Sequence, residues 1–419
     1  MRHYVLAAAL LLVLAALAGW TPLQLACNPG DDDDDDDDDG YDFTVISLPD
    51  TQIYAQKYPE IFTDQIEWIV ENAEAENIVF VTHLGDVINN VDQPYQWANA
   101  RAAMDLLDEA EIPYGVCVGN HDIQDFGTGK TAQGCSIDPV EPCTGLEFLK
   151  YFSPTRWSDK EWFGGHSPTA LSSYQIFEYA GMQFIFLHLM VDAGPDEIEW
   201  ADSVLDSYPD AAVAVSTHRY LFDFRMDRKM GYPFSLLNSR RVDWMISTLI
   251  QPLYYNEGQH AENIFQNFIM QHPQIYMVQS GHFDAEYYQV SKNIFGYPVH
   301  EMLVDFQGLP PNGGNGYLRI MRYDLDKGRI DIRTYSPTLD HTLENGENCD
   351  FSMELLKEHF EQNREIIELI ANIEEVEAQI EYWTMDEEGM TEFCSILHDG
   401  GQRDSQFGFN IDFADYQVN

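Results

Sequence analysis

The sequence predicts an α/β layered fold, and three observations carry that reading. Short apolar runs alternate with amphipathic segments from Phe43 to Thr334, the pattern of strands and helices stacked in layers. Of the 419 residues, 45% are hydrophobic and 13% aromatic, enough for a substantial core and too many for wholesale disorder. Five of the apolar runs lead within a few residues into a metal-type ligand, and in open α/β folds the carboxyl ends of strands form the crevice where ligands bind.

The N-terminus reads as an address. Arg2 and His3 precede an apolar run from Tyr4 to Trp20, followed by small residues and Cys27. A basic start, a hydrophobic stretch and a small-residue cleavage region make residues 1–27 an expected export signal. An uncleaved anchor is the second reading, because the run is just long enough to span a membrane. Leu25-Ala26-Cys27 resembles the processing site of bacterial lipoproteins, which implies a lipid-anchored cell-envelope protein; without lipidation it would be periplasmic or secreted. Residues 28–40 read as a solvated tether, since the adjacent carboxylates of Asp31–Asp39 repel one another and extend the chain. The run is no calcium loop, because Ile46 stands where an EF-hand requires Glu.

Residues 41–342 carry the alternating pattern and are expected to form the main domain. Predicted strands are Phe43–Leu48, Ile78–Val81, Tyr114–Val118, Phe184–Leu189, Ala212–Val215 and Ile275–Val278. Further strand-like stretches follow at Val299–Phe306, Tyr317–Tyr323 and Ile330–Thr334, the last two joined by a turn at Asp326-Lys327-Gly328. Predicted helices are Phe62–Asn72, Tyr95–Asp108, Asp196–Leu205 and Glu262–Gln271. In the extension, residues 343–419, the apolar residues Ile366, Leu369, Ile373, Val376, Ile380 and Trp383 recur at three- and four-residue spacing, a stripe on one amphipathic helix. The stripe suits docking on the parent domain; the second reading is a short dimerising coil. Residues 390–419 carry no legible signal.

Charge narrows the function. With 22 Lys plus Arg against 71 Asp plus Glu, the formal net charge is 22 − 71 = −49, which excludes a nucleic-acid backbone binder that needs a basic face. An anionic substrate must then be attracted by something other than the net field, and a metal centre supplies it. The cysteines fit an oxidising compartment. Cys27 would carry lipid and Cys117, in an apolar strand, is expected as a buried thiol. Cys135 with Cys143 and Cys349 with Cys394 are expected as two disulfides, although four cysteines permit three pairings.

The chemistry gathers at the strand exits. Phe43–Leu48 leads into Asp50-Thr51-Gln52, Ile78–Val81 into Gly85-Asp86, and Tyr114–Val118 into Gly119-Asn120-His121-Asp122. Ala212–Val215 leads into Thr217-His218 and Ile275–Val278 into Gly281-His282-Phe283-Asp284. Two divalent ions held a few ångströms apart require one carboxylate to bridge them, plus further oxygen and imidazole donors. Glycines at 85, 119 and 281 let the backbone come close to the metals, and a histidine beside the ligand asparagine can protonate a leaving alkoxide.

This order of Asp-x-Gln, Gly-Asp, Gly-Asn-His-Asp, His and Gly-His-x-x resembles the calcineurin-like metallophosphoesterase superfamily, and in particular a bacterial secreted branch whose first motif reads Leu-Pro-Asp-Thr-Gln, here Leu48 to Gln52. Phe80-Val81-Thr82-His83-Leu84-Gly85-Asp86, Ile112-Pro113-Tyr114-Gly115-Val116 and Thr334-Tyr335-Ser336-Pro337 agree with it, and the resemblance covers roughly residues 41–340. It implies a four-layer α/β/β/α sandwich, to which the amphipathic stripe beyond residue 342 adds a C-terminal helical extension. It implies further a hydrolase of phosphomonoesters or phosphodiesters that uses a dinuclear centre and a metal-bound hydroxide. The two ions would be divalent or mixed-valence, drawn from Mn, Fe, Zn, Mg or Ca.

Carried over by position, the resemblance implies one metal bound by Asp50, Gln52, Asp86 and Asp284, and a second by Asp86, Asn120, His218 and His282, with Asp86 bridging. His121 would be the acid or phosphate-contacting group, oriented by Asp122, while Asn120, His121 and Arg219 would bind substrate. His83 is read as a supporting or core residue. Two positions depart from the commoner pattern: Gln52 replaces a histidine, as in this branch, and Asp284 replaces the final histidine of Gly-His-x-His. A first site built wholly from oxygen would favour Mg²⁺, Ca²⁺, Mn²⁺ or ferric iron, and the second, with two imidazoles, Zn²⁺ or Fe²⁺. The alternative class is a non-enzymatic surface scaffold with a degenerate first metal site, a reading that Asp284 alone supports. Gly127-Thr128-Gly129-Lys130-Thr131 is no nucleotide-binding P-loop, because Gln124 stands where the motif needs glycine. No Gly-x-Ser-x-Gly elbow exists for serine hydrolysis.

Overall fold

Strand β1, Phe43–Leu48, is buried along its whole length, as a central strand covered on both faces must be. The computed structural model describes residues 40–125, 130–131, 146–221, 258–307, 312–343 and 405–416. Apart from Gly40 they belong to one compact unit formed by residues 41–223, 239–345 and 404–419. The expected export signal, poly-Asp tether, Cys27, Cys135, Cys143, Cys349, Cys394 and the Ile366–Trp383 stripe lie outside the described residues.

After β1 come α1 (Gln52–Lys57), α2 (Pro59–Asn72), β2 (Ile78–His83), α3 (Pro94–Glu109), β3 (Tyr114–Val116) and α4 (Leu146–Phe152). They are followed by β4 (Phe163–His166), β5 (Ser173–Tyr179), β6 (Met182–Leu189), α5 (Pro195–Ser207), β7 (Ala212–Thr217), α6 (Ala261–Asn267) and β8 (Ile275–Ser280). The remaining elements are β9 (Ala285–Lys292), β10 (Pro298–Asp305), β11 (Leu318–Asp324), β12 (Arg329–Ser336), β13 (His341–Thr342) and β14 (Gln406–Asn410).

Two seven-stranded sheets result. The first runs β13-β12-β11-β1-β2-β3, with β14 also paired to β12, and the second runs β9-β10-β8-β7-β6-β5-β4. Strands β1, β2 and β3 are mutually parallel, as are β6, β7, β8 and β10, so the ligand-bearing exits within each sheet share one edge. Side chains of alternate residues point to opposite faces. Phe43 and Val45 of β1 therefore join Phe80, Phe184, Phe186, Tyr276 and Tyr323 in a core between the sheets. The Phe80 and Phe186 rings stack across it with centroids 4.2 Å apart. On the outer face α2 comes against β2, where the Phe62 and His83 rings lie 6.2 Å apart. Two sheets packed on one another, with helices outside, make the α/β/β/α sandwich.

The interior strands follow the sequence reading, with β2, β7 and β8 each running two residues further because their last residues are polar yet buried. Strands β4, β5, β9, β13 and β14 were not expected. They are edge strands or neighbours of an edge, or carry glycine in mid-strand, and none offers a continuous apolar run. The helix expected over Glu262–Gln271 is broken at Phe268 (φ −129°, ψ −68°), and its last turn is a 3₁₀ helix. The unit also extends past position 342, because β14 returns to the first sheet. Cys117 is buried with a free thiol.

A buried ion pair joins the two sheets. Arg319 of β11 donates through Nη2 to Glu286 Oε1 of β9 at 2.9 Å, and Thr334 and Ser405 donate to the same carboxylate at 2.7 and 2.5 Å. Removing one partner of such a pair leaves the other charge buried and uncompensated. Glu286→Ala is therefore expected to cost about 3–5 kcal/mol of unfolding free energy, measured by denaturant melts; a loss below about 1 kcal/mol would show that the pair contributes little.

Candidate metal centre

Each strand exit delivers its side chain to one place. Asp50 leaves β1, and Gln52 opens α1 and donates through Nε2 to Asp86 Oδ2 at 3.4 Å. Asp86 and His282 both sit in the left-handed region, with φ of 49° and 72°, a conformation that costs energy and clusters at functional sites. The glycines at the site make room for ligand side chains. A Cβ on Gly119 would lie 2.1 Å from Asp86 Oδ1, and one on Gly281 2.3 Å from Asp50 Oδ1.

His218 is the hub. Its Nδ1 donates to the Leu84 carbonyl at 3.0 Å, which turns Nε2 towards Asn120 Oδ1 at 2.9 Å, Asp86 Oδ2 at 3.2 Å and His282 Nδ1 at 3.2 Å. Ligand atoms of Asp86, His218 and His282 all lie within 4.8 Å of one another. The His282 backbone N–H donates to Asp50 Oδ2 at 3.3 Å, tying the exit of β8 to that of β1. Asp50 Oδ1 and Gln52 Oε1 are buried with no hydrogen-bond partner. Lone pairs converging on one point, beside orphaned buried oxygens, are a donor set that fits cations.

Electrostatics say the same. Burial pushes the Asp50 carboxyl well above its ordinary range, and facing Asp305 and Asp86 push it further. Burial alone would depress the His218 imidazolium, but the neighbouring Asp86 more than offsets it and raises that pKa. Burial would likewise raise Asp86, yet His218 and His121 hold it below the usual carboxylate range. Burial, then His218 and Arg219, keep His282 well below the ordinary imidazole value, so its ring is neutral and its lone pair available.

The structure places the other sequence-derived residues differently. Asp122 accepts from the backbone N–H groups of Val87, Ile88 and Gly119 at 2.9, 3.3 and 2.8 Å, pinning the loops after β2 and β3 together. The His121 ring is instead set by a 2.7 Å hydrogen bond from Nδ1 to the Asn89 carbonyl, while its backbone N–H donates to Asp86 Oδ1 at 2.8 Å. Burial, then Asp86, raise Asp122 to about 7 despite those amides. Arg219, expected to bind substrate, is buried and donates through Nε and Nη2 to Asp192 Oδ1 at 3.1 and 2.8 Å. His83 is a buried strut. Its Nδ1 accepts from the Gly85 N–H at 3.1 Å and its Nε2 meets Thr51 Oγ1 at 2.9 Å; burial lowers its pKa to about 3. Asp284, half-buried just before β9, lies beside Asp305.

Asp305 was missed. It ends β10, is fully buried, and its carboxylate comes within hydrogen-bonding reach of Asp50. An acidic residue closing an apolar strand, the same signal that marked the other exits, was present in Val299–Phe306.

Several known proteins are similar to this chain. The uncharacterized protein YvnB of Bacillus subtilis (strain 168) is 30% identical over 301 residues, 70% of this chain, and the chain spans 20% of that relative's length. Among solved structures, a dimetal phosphatase from Danio rerio is similar over 72% of this chain and 99% of its own, at 11% identity and a TM-score of 0.41. The purple acid phosphatase PPD1 of yellow lupin is similar over 72% of this chain and 52% of its own, at 13% identity and a TM-score of 0.41. Residues 44–284, which span the strand exits from Asp50 to Asp284, match the calcineurin-like phosphoesterase family profile, and the chain belongs to that family.

Proposed function

We propose that this chain hydrolyses phosphoesters at a two-metal centre. One ion would be held by Asp50, Gln52, Asp86 and Asp284, the other by Asp86, Asn120, His218 and His282. The observation that carries the reading is the meeting of Asp86, His218, His282 and Asn120 around His218 Nε2, next to the orphaned oxygens of Asp50 and Gln52. A buried polar atom left unpaired costs about 1–3 kcal/mol, and a cation removes that cost for several groups at once. Bound there, two ions supply Lewis-acid polarisation of the phosphoryl oxygens and bring the pKa of an attacking water towards neutrality.

The chain's own residues do the rest. Asn120, whose Oδ1 faces His218 Nε2, would offer its amide N–H to substrate phosphate. His121, half-buried and fixed through Nδ1 on the Asn89 carbonyl, would give a proton from Nε2 to the leaving oxygen. Asp122 holds the loop that positions both. Arg219, clamped on Asp192, would act on substrate through its charge.

The test uses the full-length protein, its metal content by mass spectrometry, and a panel of phosphomonoesters and diesters with Mn²⁺, Fe²⁺, Zn²⁺, Mg²⁺ and Ca²⁺. Close to two ions per chain are expected, and chelation should abolish hydrolysis and lower the melting temperature. A site filled at a hundred times its dissociation constant adds about 2.7 kcal/mol of stability. Fewer than one ion per chain and no hydrolysis with any metal would overturn the reading in favour of a binding scaffold.

A further inference from the structure

We propose that Asp305 is an additional oxygen ligand of the first metal site, a position no motif of the sequence assigns; the inference rests on the two-metal reading above. The backbone puts it there. Strand β10 lies parallel to β8 with Leu303 opposite Ser280, so Asp305 leaves its strand level with His282. In the antiparallel pairing with β9, Asp305 stands opposite Ala285, immediately beside Asp284. The loop that follows is tied to the site, since Gln307 donates through Nε2 to the His282 carbonyl at 3.2 Å and through its backbone N–H to Asp305 Oδ1 at 2.9 Å.

The remaining oxygen tells what the residue faces. Asp305 is 0% exposed and Asp50 3% exposed, and Asp305 Oδ2 and Asp50 Oδ1 have no hydrogen-bond donor although the two carboxylates come within bonding reach. Two abutting buried carboxyl groups are stable side by side only with a proton or a cation between them, and a cation satisfies the oxygens of both at once. Asp50 and Asp305, with the Asp284 charge beside them, offer oxygen donors of the kind preferred by Mn²⁺, Mg²⁺ or Ca²⁺. The imidazole that Asp284 replaces is compensated by a carboxylate from a neighbouring strand. With Asp86 this makes four carboxylates against two divalent ions, 4 − 4 = 0 formal charge, so the loaded centre would attract free phosphate weakly.

The experiment titrates metal-free full-length protein with Mn²⁺ alone, by calorimetry and by Mn²⁺ electron paramagnetic resonance. The parent is expected to bind two ions. Asp305→Asn should bind one as the parent does and the other at least about tenfold more weakly, the usual scale for disturbing a metal's surroundings. Melting supplies a second readout of opposite sign. Without metal, Asp305→Asn should melt above the parent because one member of a crowded buried carboxyl pair has gone, while its gain on adding Mn²⁺ should shrink. A purely structural Asp305 would instead give a lower metal-free melting temperature and two parent-like isotherms. If Asp305→Asn does not fold, Asp305→Ser is read in the same way. Parent binding of fewer than two Mn²⁺ sinks the two-metal reading and this one with it; two ions in the parent and two equally tight ions in the variant sink the Asp305 assignment alone.

Discussion

Asp86→Asn is expected to strip both ions from the protein and to abolish phosphoester hydrolysis. In the proposed centre Asp86 is the bridging carboxylate, and its contacts reach residues assigned to both ions. Its Oδ2 lies 3.4 Å from Gln52 Nε2 and 3.2 Å from His218 Nε2, and Oδ1 accepts the His121 N–H. An amide has the same shape but not the charge that two neighbouring cations share. The fold should survive, since the interior packing is untouched and the left-handed backbone at φ 49° suits Asn at least as well as Asp. Metal analysis should fall from close to two ions per chain to well below one, with near-parent circular dichroism. Retention of two tightly held ions would move the bridge to another residue and undo the site as drawn.

His121→Ala is expected to lower turnover by about two to four orders of magnitude, the usual contribution of a positioned general acid, with metal content unchanged. The separation is possible because the contact His121 makes with Asp86 is through its backbone N–H, which alanine keeps. The side chain is tied to the Asn89 carbonyl, outside the His218 cluster. Substrates with good leaving groups should be less affected, because they need less protonation of the departing oxygen. Loss of metal together with activity would make His121 a ligand instead.

Much of this was legible in the sequence, and the reason is local. The strands β1, β2, β7 and β8 are covered on both faces, so they read as continuous apolar runs whose ends are visible, and the ligands follow within five residues of those ends. What depended on distant partners was not legible. Asp122 has the composition of a histidine's partner, but its acceptor role comes from three amides on two loops. Arg219 is expected to bind substrate, and nothing near it in sequence announces that Asp192, from the exit of β6, holds its guanidinium in the interior. Asp305 carries the exit signal at the end of its apolar run but lacks the glycine-flanked motif of the other exits; what gives it meaning, its closeness to Asp50 and Asp284, comes from other segments.

Strand β14 has a consequence for how the molecule comes into being. Residues 343–405 separate it from β13, yet both lie on the same edge of β12, and Phe409, Ile411, Phe413 and Tyr416 are packed into the core between the sheets. Ser405 meanwhile donates to the buried Glu286 carboxylate. Strand β1, for its part, pairs with β11, with Phe43 opposite Tyr323. Contacts between such distant segments form slowly, since chain closure must precede any reward from packing. A ribosome works from one end, so the growing polypeptide exposes the aromatic faces of Phe184, Tyr276 and Tyr323 until residues 405–416 have been made. Such a chain folds after synthesis rather than during it, and until then it depends on being shielded from its own kind. A protein cut short after Thr342 would accordingly accumulate as aggregate, not as a smaller enzyme.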